Sequence, residues 1–287
     1  MIKKKLKLKW KIILTVILII TFLFLTMRFI GTKGIIIREY KVTSKIPKSL
    51  YGIKIVHFTD LHYGMGVDDN KLKKLVNLIN ETKPDIVFFT GDLLDNKTKL
   101  TEDIEKILVN NLSKIKSTYG NYYVNGDEDK NNISFEALMD KSHFKSLNNN
   151  YEVIYSKDLS SIFITGTDIQ SGINNDVKEK LNTQNYNYKI FITHYPDNID
   201  KILKYDFNLV LAGHSHNGQV RIPKIGAIYK PNNAKNYYDP YYKIGNTDFY
   251  ISGGIGNSKV NLRLFNQPSF NLYRLVDHYV SDLQELD

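Results

Sequence analysis

The chain has 287 residues, 42% of them hydrophobic, and a formal net charge of +9, which is enough length and apolar content for one large domain with a sizeable core. The charge is unevenly placed: residues 1–49 hold twelve Lys or Arg against Glu39 alone, so the rest of the chain carries a small negative excess. This asymmetry removes the basis for a nucleic-acid partner and points the basic leader toward anionic lipid head groups, while the lack of any cysteine excludes disulfides, thiolate metal sites and a cysteine nucleophile.

Residues 1–11 form a basic tail. Residues 12–30 follow as an apolar run interrupted only by Thr15, Thr21, Thr26 and Arg28, close to the ~20 residues a helix needs to cross a bilayer. A cleaved signal peptide has a similar profile, but no alanine occurs before Ala137 and so no Ala-x-Ala cleavage site is present. The expectation is an uncleaved signal anchor in the cell membrane, single-pass, with the following domain on the extracytoplasmic side. Residues 31–49 then read as a basic juxtamembrane tether, and residues 50–287 as the folded body.

Within the body, strands and helices alternate. Asp69–Thr82 places Leu72, Leu75, Val76 and Ile79 at helical spacing, with Asp68 or Asp69 as cap and Pro84 closing the run. Thr101–Thr118 and Ser134–Leu147 repeat the amphipathic pattern. Shorter strands are expected at Tyr151–Tyr155, Ile162–Gly166, Tyr188–Thr193, Phe207–Ala212, Phe249–Ser252 and Asn271–Leu275. The ordering predicts an α/β architecture of two sheets packed face to face with helices outside.

Four apolar strands end in a carboxylate or an imidazole. Lys54–Thr59 runs into Asp60-Leu61-His62, Ile86–Thr90 into Gly91-Asp92, Tyr188–Thr193 into His194, and Asn208–Gly213 into His214-Ser215-His216. Carboxyl ends of strands are where open α/β sheets bind ligands, and imidazole with carboxylate is a donor set for a borderline transition metal. Singly, the Asp-x-His triplet also suits a structural loop, and the His-Ser-His segment a pair of surface histidines. Together the four describe a metal cup.

Asp60-Leu61-His62, Gly91-Asp92, Gly126-Asp127-Glu128-Asp129, His194 and Gly213-His214-Ser215-His216 occur in the order of motifs in the calcineurin-like metallophosphoesterases, which the chain resembles over about residues 50–276. Ala212–Pro223 and Tyr250–Gly256 look like the membrane-associated bacterial, YkuE-like branch of that family. The resemblance implies a four-layer α/β/β/α sandwich of two mixed sheets, following the N-terminal transmembrane helix, with two divalent metal ions between the sheets. One ion would take Asp60, His62, Asp92 and His216, and the other Asp92, Asp127, His194 and His214. Asp92 would bridge, letting the pair share one hydroxide and clamp a phosphoryl group from both sides. Mixed N/O ligands favour Mn, Fe or Zn over Ca or Mg. The implied substrate is a phosphorylated small molecule or lipid, and the implied reaction hydrolysis of a phosphate ester, phosphodiester or pyrophosphate, with the bilayer as a further partner.

The third motif departs from the family, which has Asn-His where this chain has Asp127-Glu128. Asp for Asn keeps an oxygen donor and adds charge. Glu for His is a larger change, because an ionised Glu128 repels phosphoryl oxygens whereas a protonated one donates to them. Glu128 is therefore expected either to act as a general acid with a raised pKa, or to leave a metal- and phosphate-binding sensor with impaired turnover. His57, inside a strand, is expected to be packed or to support a ligand from behind, and His143, on a helix, and His278, near the tail, to play no part in the site. Asp95 is expected to cap the next segment, Gly253-Gly254-Ile255-Gly256 to be a tight backbone passage beside the site, and Tyr237, Tyr238, Tyr241 and Tyr242 to form a packed surface loop rather than a lipid-facing rim.

Overall fold

The computed structural model describes residues 2–130, 134–167 and 172–277. Helix α1 (Ile2–Leu25) continues through a wider π-type turn (Thr26–Ile30). Its apolar stretch Lys7–Ile30 is 24 residues long, with no part buried against the body. At 1.5 Å per residue this is about 36 Å, longer than the ~30 Å hydrocarbon layer of a bilayer.

Strand β1 (Ile36–Ser44) comes next, where the sequence suggests a tether. It pairs in parallel with the last strand over nine residue pairs, Ile36 to Ser269 through Ser44 to Asp277. Val42 is buried and Tyr40 packs on Tyr250 and Tyr273. The alternation Arg38, Tyr40, Val42 carries this strand, and the charged Glu39 and Lys41 between them face outward, as suits a sheet edge.

The chain then builds β2 (Lys54–Phe58), α2 (Asp69–Glu81), β3 (Ile86–Phe89), α3 (Glu102–Leu112), β4 (Asn121–Tyr123), α4 (Phe135–Lys141) and β5 (Phe144–Ser146). Asp68 caps α2 by accepting from the Lys71 N–H at 2.8 Å. The third amphipathic run is shorter than its pattern suggests: α4 stops at Lys141, and Phe144–Ser146 pairs with β4 instead. His143 turns the chain there with φ of 63°.

The second half supplies β6 (Tyr151–Tyr155), β7 (Ser161–Thr167), α5 (Asn175–Thr183), β8 (Tyr188–Thr193), β9 (Leu209–Ala212), the short hairpin β10 (Arg221–Ile222) and β11 (Gly226–Ala227), then β12 (Tyr241–Ile244), β13 (Thr247–Ile251) and β14 (Ser269–Asp277). One sheet has the order β1-β14-β2-β3-β4-β5, the other β12-β13-β9-β8-β7-β6, and each mixes parallel and antiparallel pairs.

Alternation along the strands sorts the core into three layers. Ile86 and Phe88 of β3 meet Ile190 and Ile192 of β8 between the sheets. Val87 and Phe89 point the other way, onto Leu72, Val76 and Leu108 of α2 and α3. Phe191 and Val210 face outward onto Val177, Ile199 and Ile202. The result is the α/β/β/α sandwich of the metallophosphatase fold. The central strands of each sheet, β2, β3 and β4 in one and β8 and β9 in the other, are parallel, so their carboxyl ends gather at one end of the sandwich. His57 is fully buried within β2, its Nε2 2.9 Å from the Thr90 hydroxyl, and burial pushes its pKa down to about 3.

Candidate metal centre

The strand ends are zipped together by main-chain hydrogen bonds before any side chain is considered. The Asp60 N–H donates to Gly91 O (2.9 Å), the His62 N–H to Asp92 O (3.0 Å), the Gly213 N–H to His194 O (3.1 Å) and the Gly256 N–H to Asp60 O (2.8 Å). The loops lie so close that a Cβ on Gly91 would sit 2.1 Å from the Gly126 nitrogen, and Gly91 itself has φ of +91°. Gly91→Ala is therefore expected to destabilise the protein by about 2–5 kcal/mol, from backbone strain and overpacking together. Urea unfolding of detergent-held protein measures it; a change under about 0.5 kcal/mol, the size of an ordinary surface substitution, contradicts the packing.

Five of the seven expected ligands have left-handed backbone: Asp60 (φ 49°), His62 (41°), Asp92 (59°), His214 (64°) and His216 (48°). Each such non-glycine residue costs on the order of 1–3 kcal/mol and persists only where its surroundings impose it. Concentrated at one site, this strain aims side chains inward from strands that would otherwise point them along the sheet.

All seven side chains converge. One group joins Asp92, Asp127, His194 and His214, and a second joins Asp60, His62 and His216, with the donor atoms of each within 4.8 Å of one another. Asp92 connects them: its Oδ2 lies 3.4 Å from His194 Nε2 and 3.6 Å from His62 Nε2. Asp127 Oδ1 is 3.0 Å from His194 Nε2 and 3.2 Å from His214 Nδ1, and Asp60 Oδ1 is 3.4 Å from His216 Nε2.

The outward nitrogens of three rings are tied to oxygen. His62 Nδ1–H donates to Glu128 Oε2 (2.9 Å), His194 Nδ1–H to Thr90 O (2.6 Å) and His214 Nε2–H to Asn232 O (2.8 Å). Each bond commits the other nitrogen's lone pair to the cup, the arrangement that metal-ligating histidines adopt. The inward nitrogens meet in pairs, His62 Nε2 to His216 Nε2 at 3.3 Å and His194 Nε2 to His214 Nδ1 at 3.2 Å. That is close to the spacing of about 3.3 Å between donors that share one tetrahedral cation at about 2.0 Å. The donor set thus fits divalent cations in type, number and spacing.

The electrostatics agree. Burial disfavours a charge on His62, but Glu128, Asp92 and Asp60 outweigh it and lift its pKa to about 9. Burial also opposes charge on His194, yet Asp92 and Asp127 hold its pKa well above the usual value. His216 goes the other way, kept neutral by burial and by the cationic His62 and Arg263. Burial raises Asp127, but the imidazoles of His194 and His214 more than reverse this and hold it far below the usual carboxylate range.

Two supporting residues carried no sequence signal of their own role. Asp129 accepts the N–H groups of Asp92 (2.8 Å), Leu93 (2.9 Å) and Gly126 (2.8 Å), pinning two motif loops, although burial and Asp92 push its pKa up to about 7. Arg263 is fully buried, with Nε on Asn257 Oδ1 (2.8 Å), Nη1 on Asn266 O (3.1 Å), and Nη2 on Gly254 O (3.1 Å) and 3.3 Å from His216 Nδ1. A lone arginine among surface-type residues offers no pattern by which to find it. The glycine-rich passage does run beside the site, since a Cβ on Gly254 would meet Asp60 Cβ at 2.9 Å. Asp95 turns its carboxylate to the Lys97 N–H (3.1 Å). Tyr237 and Tyr242 stack edge-to-face at 5.1 Å and the Tyr242 hydroxyl accepts from the Tyr238 and Asp239 N–H groups, so that segment is packed. His278 lies outside the described residues.

A cavity of about 720 Å³ opens over the cup. Asp92, Asp127, Glu128 and His214 form its floor, and Val220, Ile228, Tyr229, Pro231 and Val260 its wall.

The family model for calcineurin-like phosphoesterases matches residues 53–218, more than half of the chain, which therefore belongs to that family and is a metal-dependent phosphoesterase. Members of the family hold a dinuclear metal centre. The chain is similar to the metallophosphoesterase YkuE of Bacillus subtilis (strain 168), with 31% identity over 81% of this chain and 82% of that protein. It is also similar to the phosphodiesterase YaeI of Escherichia coli (strain K12), with 25% identity over 78% of this chain and 82% of that protein. A transmembrane protein with a metallophosphoesterase domain from Danio rerio is 26% identical over 77% of this chain, which spans 52% of that protein.

Proposed function

We propose that the protein is a membrane-anchored phosphoesterase that holds two divalent cations, Mn, Fe or Zn, and hydrolyses a phosphate ester, phosphodiester or pyrophosphate of an envelope lipid. Asp60, His62, Asp92 and His216 hold one ion, and Asp92, Asp127, His194 and His214 the other. The observation that carries this is the place of Asp92 Oδ2, between an imidazole of each group at 3.4 and 3.6 Å. When bound, the cations supply Lewis-acid stabilisation of phosphoryl oxygens and make water nucleophilic near neutral pH. The hydrolytic outcome follows the family, and the phosphodiesterase name of YaeI favours a diester among the three bond types.

The rest is the work of the chain's own residues. The apolar wall beside the floor lowers the local dielectric on that side, which strengthens the charge interactions there. The anchor is α1, whose length and apolar surface suit a bilayer, and the transmembrane relative from Danio rerio is consistent with it. The tight lysine cluster before the span favours the catalytic domain on the extracytoplasmic side.

Glu128 supports this reading as a positioning residue. Its Oε2 accepts from both His62 Nδ1–H (2.9 Å) and the Asn96 N–H (3.0 Å), which fixes the carboxylate against the back of the His62 ring. Glu128→Gln, which keeps an acceptor, is expected to retain metal affinity and turnover within a few-fold, whereas Glu128→Ala loses about 10–100-fold in metal affinity. Titration calorimetry with Mn²⁺ reads the affinity. A Gln variant that binds metal normally but turns over nothing, with gain of rate in Glu128→His, assigns the acid role instead. The function itself is tested with p-nitrophenyl phosphate and its bis-ester, Mn²⁺ added or chelated. Metal-dependent hydrolysis is expected; tight phosphate binding with no turnover of any ester contradicts it.

A further inference from the structure

The cavity wall continues onto the surface as a belt of exposed apolar side chains. Ile225 is 75% exposed, Phe265 70%, Ile228 61%, Tyr229 56% and Val260 53%. They come from two neighbouring segments, the β10–β11 hairpin and the loop after Gly256, joined by the Arg221 N–H to Leu264 O (3.0 Å) and by Gln219 Nε2 to Leu262 O (2.8 Å). Side chains this large and this exposed, side by side and continuous with a cavity, mark a contact surface.

The spanning helix identifies what the belt contacts. The Arg263 N–H donates to Met27 O at 3.1 Å, so the loop that carries Val260 and Phe265 abuts the end of the apolar helix. β1 begins at Ile36 opposite Ser269, and the Ser269 N–H donates to Gly254 O (3.0 Å) beside the cup. The helix therefore leaves the body at the end of the sandwich where the strand ends gather. Arg28, Lys33 and Lys74 surround its exit, with Asp68 the acid among them. Lys224 turns the hairpin, Lys230 lies 3.5 Å from the Tyr238 ring and Lys259 4.4 Å from the Tyr229 ring, with Asp239 paired to Arg221. Apolar tips with cations at their margin are the composition of a surface that enters the head-group layer of an anionic leaflet.

We propose that the β10–β11 hairpin and the loop bearing Val260 and Phe265 form a second membrane contact, which seats the cavity mouth on the leaflet from which the helix emerges and selects an amphiphile, a phosphate head group on an apolar tail, that enters from the bilayer plane. The inference rests on the reading of the protein as a membrane-anchored phosphoesterase. The head group reaches the floor of the cup, and the tail stays along Ile228, Tyr229 and Val260, in continuity with lipid.

The chain has no native cysteine, so single-cysteine variants of the full chain report position cleanly. Ile225→Cys and Phe265→Cys carry an environment-sensitive dye in nanodiscs of anionic phospholipid, with Leu159→Cys as control. Leu159, 78% exposed, lies before β7, at the opposite end of the sandwich from the cup. Dyes at 225 and 265 are expected to shift to an apolar emission and to be quenched by spin-labelled lipid, with the dye at 159 unaffected. Dyes at 225 and 265 that behave like the one at 159 overturn the proposal. An apolar emission at 225 and 265 that spin-labelled lipid does not quench assigns the belt to a protein contact and also overturns it.

A second arm reads the substrate. The double variant Ile225→Asp, Phe265→Asp, whose side chains line no part of the catalytic cavity, is expected to hydrolyse p-nitrophenyl esters like the parent while losing at least about tenfold on phosphatidic acid held in the bilayer, because interfacial binding scales with buried apolar area. Equal loss on both substrates, or none on either, rejects selection through the belt. A parent that hydrolyses no ester at all, with its dyes quenched as expected, defeats the phosphoesterase reading and leaves the docking surface standing.

Discussion

Asp92→Asn is expected to lower kcat/KM by about 10³-fold or more and to leave fewer than two metal ions per chain. Asparagine keeps the shape of the side chain and the acceptor for the Glu128 N–H, now at 2.9 Å from Asp92 Oδ1. It removes the negative charge that faces His62 at 3.6 Å and His194 at 3.4 Å from one oxygen. Among the described residues no other carboxylate oxygen lies within 4 Å of an imidazole of each group, so none can take its place between them. The effect is read from hydrolysis of the bis-p-nitrophenyl ester and from metal content by mass spectrometry. Asp95→Asn is the control, being another buried acid in the same loop whose carboxylate instead holds the Lys97 N–H; it is expected to change kcat/KM by less than about threefold, as a local cap does. Equal losses in both variants contradict a special place for Asp92.

The second large effect is the response to pH after chelation. In chelator-treated protein His62 titrates at about 9, against about 6.5 when unfolded. A raised histidine pKa stabilises the fold fully below pH 6.5 and loses that contribution as pH rises to about 9. For His62 the loss is about 3 kcal/mol, or on the order of 6–12 °C in midpoint for a domain of this size. His194 acts in the same direction. Metal-loaded protein has no ring proton to lose there, because a cation and a proton compete for the same nitrogen. The stabilisation by metal is therefore expected to widen between pH 6.5 and 9. Measuring it as the difference between loaded and chelated protein cancels Lys71, whose burial lowers its pKa to about 8 in either state. His57 and His216, held neutral by burial, act below pH 6.5. Thermal unfolding at pH 6.5, 7.5 and 9 with and without chelator measures the gap, and a gap that narrows with pH contradicts the assignment of His62.

The catalytic end was legible in the residues because its signal is local. Strands such as Ile86–Phe89 and Tyr188–Thr193 are buried on both faces along most of their length, as parallel strands are, and the first reaches Asp92 after Thr90-Gly91 while the second runs directly into His194. What was not legible depends on partners distant in sequence. β1 reads as a basic tether because it is a sheet edge whose one strand neighbour among the described residues, β14, lies more than 230 residues away. The run Ser134–Leu147 has a helical apolar pattern, but its last part finds a strand partner in β4, and tertiary pairing overrides the local preference. Glu128 illustrates the same limit within the site. Its place in the motif suggests, when protonated, a donor to phosphate, and only the fold reveals that it accepts a hydrogen bond from the Nδ1–H of His62, 66 residues earlier. Likewise the apolar belt is spread over two segments that sequence periodicity does not connect, and it becomes a surface only when Arg221 and Leu264 are bonded.

The most direct test of the account is electron paramagnetic resonance of the full-length protein titrated with Mn²⁺. Two carboxylate-bridged ions per chain are predicted, giving the broad spectrum of an exchange-coupled pair that disappears in Asp92→Asn. A six-line spectrum of one isolated ion at saturation, unchanged by that substitution, would contradict it.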